Sequence, residues 1–166
     1  MARTMRLAVP VLLVLLLAWQ CVFAVQVIIS DALDFSVQRE MVFWGVEGKK
    51  PTQAEVDAAQ TRMEQAVSLW PLNPDYLALL ARLHAWQGQI ATSRSAANEQ
   101  YSLAISTMHL SLLERSGNPY SWAQYAEYLA TQQDKRLELA IVVEKVKGLG
   151  PGDLKLQQRV QALVRP

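Results

Sequence analysis

Few residues in this chain are of a type and spacing that could perform chemistry. The sequence has two histidines, His84 and His109, and one cysteine, Cys21. The two histidines fall on different predicted helices, and neither has a carboxylate or thiol at the spacing of a metal ligand. A lone cysteine excludes an intramolecular disulfide framework. We therefore expect no metal site and no cofactor.

Two pairs of acidic residues could in principle act as a general acid and base. These are Asp57 with Glu64 and Glu138 with Glu144. Both pairs sit on predicted helices with no third group to orient them, which is typical of solvated helix faces. Nucleophile-elbow, P-loop, zinc-protease and dinucleotide-binding motifs are absent from the sequence. The sequence therefore predicts that the protein is not an enzyme.

Aromatic residues are the more suggestive resource, with five tryptophans and five tyrosines in the chain. Ring faces can line a groove that binds a peptide or a sugar chain, and they can equally pack into a helical core. Both interpretations stay open from the residues alone. The candidate partner or glycan surface consists of Phe43, Trp44, Trp70, Trp86 and Trp122.

Composition narrows the class of protein further. Hydrophobic residues make up 51% of the chain, charged residues 19%, and the formal net charge is +1. A disordered chain would be poorer in apolar residues and more strongly charged. A nucleic-acid binder would carry a basic field, so no nucleic-acid partner is expected.

An uncharged apolar run near the N-terminus predicts a membrane anchor. It extends from Leu7 to Ile29, and a helix of that length covers roughly 34 Å, enough for a hydrocarbon core of about 30 Å. Arg3 and Arg6 precede the run, so the positive-inside rule places the N-terminus in the cytoplasm and the rest across the bacterial inner membrane, in the periplasm. A cleaved signal peptide and a lipoprotein are the alternatives. Residues 1–29 then form the cytoplasmic N-terminus and anchor, 30–51 a juxtamembrane segment, and 52–166 a helical domain.

The sequence after the anchor predicts an all-α domain, because helix start signals recur and strand patterns are missing. Thr52 and Glu55 form a capping box, and Asn73, Asn118 and Asp153 are N-cap residues. Gly88 and Gly148 are predicted to end helices in a left-handed conformation, and residues 88–99 to form an extended connection. The last long helix is predicted to pack through Leu137, Ala140, Ile141, Glu144 and Val146.

The order of the apolar stripes predicts a repeat. The spacing of Ala59, Met63, Ala66, Val67 and Pro71 follows the second helix of a tetratricopeptide repeat. The sequence thus predicts two or three antiparallel helical hairpins of this type, and a small unrelated helical bundle remains the alternative. A second copy of the spacing is Ala104, Met108, Ser111, Leu112 and Ser116.

The chain resembles the VpsP family of exopolysaccharide biosynthesis proteins over roughly residues 36 to 160. The matching segments are Phe43-Trp44, Pro51-Thr52, the run from Ala66 to Tyr76, the run from Asn118 to Ala123, and Gly150 to Asp153. Ser116 and Gly117 depart from the family, whose members usually carry a proline-containing run there.

This resemblance implies a membrane-anchored, tetratricopeptide-like protein that works in making or exporting an exopolysaccharide. Its expected partners are the lipid bilayer and other protein subunits of a polysaccharide assembly machinery, with the polysaccharide itself as a partner in the alternative below. We expect a non-catalytic scaffold. The alternatives are a module that captures the polysaccharide through exposed aromatic residues, or an assembly subunit of an unrelated envelope complex.

Overall fold

Helices form all the regular secondary structure between residues 2 and 164, the part of the backbone that the computed structural model describes. Side chains are described from Pro10 to Val164, so Arg3 and Arg6, on which the predicted orientation rests, lie outside the described side chains. The helices are α1 (Ala2–Met41), α2 (Gln53–Leu69), α3 (Pro74–Ile90), α4 (Arg94–Glu114), α5 (Pro119–Ala130), α6 (Arg136–Leu149) and α7 (Leu154–Leu163), with short 3-10 turns at Val46–Gly48 and Gln133–Lys135.

The seven helices stack as three antiparallel hairpins and a final single helix. The hairpins are α1–α2, α3–α4 and α5–α6, and successive hairpins meet through α2 with α3 and through α4 with α5. Helix α7 packs on α5 and α6. Contacts limited to neighbouring units are typical of tetratricopeptide-like stacks. The predicted all-α fold with tetratricopeptide-like hairpins is confirmed.

The predicted helix starts are confirmed because each depends on local chemistry. The Thr52 backbone N–H donates to the Glu55 carboxylate at 2.7 Å, and the Glu55 N–H donates to the Thr52 hydroxyl at 3.3 Å. Asn73 accepts from two N–H groups of α3, Asn118 from one of α5, and Asp153 from one of α7. These side chains satisfy backbone donors that have no partner within the helix.

The prediction that residues 88–99 form an extended connection is wrong. Helix α3 continues to Ile90, and α4 begins at Arg94 with Ser93 as its N-cap. Gly88 lies inside α3, where a Cβ would come within 3.0 Å of the Tyr101 ring. The glycine therefore permits close approach of α3 and α4 instead of ending a helix. The wide spacing of the repeats comes from long helices, since α4 alone has 21 residues.

Two predictions about α6 are also wrong. Gly148 lies within the helix, which ends after Leu149, and its C-cap, Gly150, is not left-handed. Of the predicted stripe, Leu137, Ala140, Ile141 and Glu144 are exposed and only Val146 is buried. The rest of the buried face consists of Leu139, Val142 and Val143. Both stripes have helical spacing, so the sequence pattern alone could not tell which of them faces α5 and α7.

The predicted juxtamembrane segment, residues 30–51, is for the most part a continuation of α1. Val37, Met41 and Trp44 from this segment are buried in a core shared with α2 and α3. The Arg62 guanidinium of α2 donates to Ser36 and pairs with Glu40 of α1. The last turns of α1 thus act as the first helix of the first hairpin.

Candidate functional site

Two of the predicted aromatic site residues belong to the core that α1, α2 and α3 share. Trp44 is 8% exposed, and its ring meets the partly buried Trp86 edge-on, with centroids 5.9 Å apart and planes at 84°. Gly45 next to it has a φ of +81°, and a Cβ there would lie 3.5 Å from the Trp86 ring. This pair therefore fixes the connection between α1 and α2.

Trp122 has a structural environment of its own. Its indole N–H donates to the Ser116 carbonyl at 2.7 Å, and the Lys145 ammonium lies 3.7 Å from its ring centroid. The Tyr125 ring meets it edge-on at 6.0 Å. These contacts join α5, α6 and the turn before α5. Most of the Trp122 ring is therefore in contact with other residues of the domain.

Phe43 and Trp70 are the two exposed members of the predicted set. Phe43 is 60% exposed at the end of α1, and Trp70 is 39% exposed at the end of α2. The whole of α2, 17 residues and about 25 Å long, separates the two positions along the chain. The structure therefore does not bring the five aromatic residues together into one surface. The Trp70 ring instead lies 5.9 Å from the ring of Phe23 on α1.

Most of the residues considered for chemistry contact a neighbouring helix, whereas Glu64 and Glu144 bond to Gln60 and Lys147 on their own helices. His84 is buried with its Nδ1 3.2 Å from the Gln100 side-chain oxygen. The Tyr125 hydroxyl donates to Glu138 at 2.5 Å, and this hydrogen bond, aided by Lys135, lowers the pKa of the Glu138 carboxyl. Among the described residues, no three His, Cys, Asp or Glu side chains are grouped closely enough to hold a metal ion.

An open groove lies between the second half of α1 and α3. It has a volume of about 380 Å³. Phe35 and Val42 are 67% and 66% exposed there. Leu33, Val37 and Met41 turn towards α2 and α3, whereas Phe35, Gln38 and Arg39 lie off that stripe and face the groove. The lining residues are Phe35, Gln38, Arg39, Val42 and Arg82.

The groove combines apolar and cationic side chains. Arg39 and Arg82 are both exposed, and the lining includes no acidic residue. A guanidinium holds a carboxylate through two parallel hydrogen bonds, and exposed Phe and Val side chains lose contact with water when an apolar side chain covers them. The groove therefore suits a protein segment that carries acidic and apolar residues.

The sequence prediction missed this groove because it treated residues 30–51 as separate from the domain. A signal was nevertheless available. Leu33, Val37 and Met41 recur every four residues, which is the spacing of a buried helical stripe, and Phe35 and Val42 lie off that stripe. Arg82 had no such signal, since only the packing of α3 on α1 brings it to the groove.

The chain matches no family model, no curated protein and no solved structure in the comparisons made with them.

Proposed function

We propose that this protein is a non-catalytic scaffold of the bacterial inner membrane, which holds another protein subunit of an exopolysaccharide assembly machinery. Helix α1 crosses the membrane once, with its N-terminus in the cytoplasm and the helical domain in the periplasm. The partner binds the groove between α1 and α3 through acidic and apolar side chains.

The continuity of α1 carries this proposal. All described side chains from Pro10 to Gln26 are exposed, and the helix is long and apolar enough to cross a membrane. The same helix then supplies Val37 and Met41 to the core of the domain. A hydrocarbon environment would cover the exposed apolar half, and the buried half would transmit that position rigidly to the domain.

Two contacts favour an uncleaved anchor over a signal peptide. Ser30 is fully buried, and Phe23 lies against Trp70 of the turn after α2. The end of the apolar run thus packs on the domain, whereas a signal peptide is removed from the mature protein. These features support the proposal that the mature protein keeps the run as an anchor.

The groove favours a protein partner over a polysaccharide. Sugar rings stack on exposed aromatic faces, but Trp44 is buried and the Trp122 ring is covered by Lys145 and Tyr125. The exposed Phe43 and Trp70 lie in different turns, before and after α2, and so form no common stacking surface. Arg39 and Arg82 are positively charged, and a peptide that bears carboxylates can form ion pairs with them. The role in exopolysaccharide assembly comes from the resemblance of the segments around Trp70-Pro71 and Asn118-Pro119 to the VpsP family.

Charge reversal in the groove tests the proposal. Arg39→Glu combined with Arg82→Glu should lower secreted polysaccharide at least severalfold in a strain that lacks the native gene, because the two charges then repel an acidic partner. The matched control is Arg94→Glu, an exposed arginine at the start of α4. Polysaccharide is measured at equal amounts of membrane-bound protein.

Two outcomes would contradict the scaffold proposal. Normal secretion from the groove variant would show that the groove holds no required partner, as would an equal loss in the Arg94→Glu control. Loss of secretion in a folded His84→Gln, His109→Gln double variant would indicate a catalytic or ligand-binding role for the histidines instead. We expect that double variant to secrete normally.

A further inference from the structure

Three turns of the domain share one backbone geometry and differ in chemistry. The residues that cap the C-termini of α2, α4 and α6 are Trp70, Arg115 and Gly150, with φ, ψ values of −140°, 80°, then −140°, 76°, and −129°, 59°. Each turn ends at the N-cap of the next helix. The turn sequences are Trp70-Pro71-Leu72-Asn73, Arg115-Ser116-Gly117-Asn118 and Gly150-Pro151-Gly152-Asp153.

Contacts between the turns place all three at the same end of the domain. The Ser111 hydroxyl near the end of α4 donates to the Pro74 carbonyl at 2.7 Å, and Arg115 pairs with Asp75. The Tyr120 hydroxyl donates to Asp153 at 2.7 Å. This end faces the apolar half of α1, because the Trp70 ring lies against Phe23.

The first turn is the one that is apolar and next to α1. Trp70 is 39% exposed and Leu72 is 64% exposed, whereas the second turn presents Arg115, Ser116 and Gly117. The shared backbone geometry does not require Trp70 and Leu72 to be apolar, since the other two turns adopt the same geometry with other residues. We therefore expect the first turn to lie in more apolar surroundings than the other two.

The depth of the first turn follows from α1 itself. Ile28 is 67% exposed and Ile29 is 42% exposed, and both lie further along α1 than Phe23, by about 8–9 Å. If lipid covers these two isoleucines, the Trp70 ring beside Phe23 lies on the lipid side of the same boundary. Tryptophan is favoured at this depth, where its ring is in the apolar region and its N–H reaches polar groups.

The backbone of the turn is suited to that environment, where an unpaired polar group is costly. Pro71 and Pro74 have no N–H to satisfy. The Trp70 N–H donates to the Ala66 carbonyl at 3.0 Å, and the Asn73 N–H donates to the Trp70 carbonyl at 3.2 Å. Four of the five positions from 70 to 74 therefore present no free donor.

We propose that the Trp70-Pro71-Leu72 turn inserts into the headgroup and upper acyl region of the bilayer beside α1, and that the Arg115 and Gly150 turns stay in water. The inference rests on the proposed anchoring by α1 and adds a second point of attachment. Two attachments fix the rotation of the domain about the α1 axis, and with it the direction in which the groove between α1 and α3 opens.

Environment-sensitive labels at equivalent positions of two turns test the insertion. A nitrobenzoxadiazole label is placed at Leu72→Cys or, as the matched control, at Gly117→Cys, in the full chain with Cys21→Ala. Each protein is reconstituted into phosphatidylethanolamine–phosphatidylglycerol vesicles. We expect a blue-shifted emission at position 72 and at least threefold stronger quenching by nitroxide-labelled lipid than at position 117. Adding Trp70→Arg to the first variant should reduce this quenching.

The outcomes separate this inference from the anchoring itself. Flotation of the vesicles after carbonate washing reports on α1. Protein that floats but has equal quenching at positions 72 and 117 overturns the insertion and leaves the anchoring intact. Protein that fails to float overturns both. Circular dichroism melting curves that match the Cys21→Ala parent confirm that each labelled variant is folded.

Discussion

The two halves of α1 belong to one continuous helix, yet they differ in how their apolar and polar side chains are distributed around it. From Pro10 to Gln26 all side chains are exposed, and most are large and apolar. From Ser30 to Met41 the apolar residues that are buried lie on one stripe, and polar residues such as Gln38 and Arg39 lie on the other side.

This difference shows how one helix can be stable in two environments, hydrocarbon along one half and a protein surface in water along the other. A helix that is apolar all round has no preferred face and suits a hydrocarbon environment, whereas an apolar stripe needs a protein partner on one side and water on the other. Asp31 and Asp34, just after the apolar run, mark the change. The backbone hydrogen bonds continue through it, so the position of one half sets the position of the other.

The largest expected effect comes from placing a charge on the buried stripe. Val37→Asp puts a carboxylate where the side chain is fully buried, and should cost about 3–5 kcal/mol of the free energy of unfolding. Urea unfolding of the full chain in detergent, followed by circular dichroism, measures this loss.

The matched control is Val42→Asp, one residue beyond the end of α1 and 66% exposed. It should change the free energy of unfolding by no more than about 0.5 kcal/mol. Similar losses for the two variants would show that the second half of α1 does not pack as described.

A smaller effect is expected at the junction between the two halves. The Tyr76 hydroxyl of α3 donates to Asp31 at 2.5 Å, and Tyr76 is 2% exposed. Tyr76→Phe should cost about 1–2 kcal/mol, because a partly buried hydrogen bond to a carboxylate is lost. Tyr120→Phe removes an exposed tyrosine–aspartate hydrogen bond and should cost less, as thermal melting of both variants would show.

The pH dependence of stability provides a second test of the Tyr76–Asp31 hydrogen bond. Burial, together with the Asp31 carboxylate, raises the pKa of Tyr76 above its ordinary value of 10. A raised pKa means that the contribution of the phenol to stability is complete below pH 10 and is lost as the pH rises towards the folded-state value. Wild-type protein should therefore lose more stability than Tyr76→Phe above pH 10. Equal losses of stability in the two proteins would show that the Asp31–Tyr76 hydrogen bond does not stabilise the junction.

Features that depend on local chemistry were predictable from the sequence. The capping box at Thr52 and the N-caps at Asn73, Asn118 and Asp153 involve residues within three positions of each other, and all four begin helices. The burial of Ala59, Met63 and Ala66 on α2 follows from spacing alone.

Features that depend on tertiary contacts were not predictable in this way. Gly88 looked like a helix end because its partner, the Tyr101 ring, lies on another helix. The packed face of α6 depended on where α5 and α7 lie. The groove between α1 and α3 joins Arg39 to Arg82 across two helices, and no local pattern relates those two positions.

The central claim is that α1 is one rigid link between membrane and domain, and a distance distribution between two spin labels tests it most directly. Labels at Val14→Cys in the apolar half and Glu64→Cys on α2, in the full chain with Cys21→Ala, are measured by pulsed electron spin resonance in vesicles. A second pair within the domain, Glu64→Cys and Arg94→Cys, gives the reference width. The account predicts a single narrow distance for the first pair, as narrow as the reference. A broad or multimodal distribution alongside a narrow reference would contradict it.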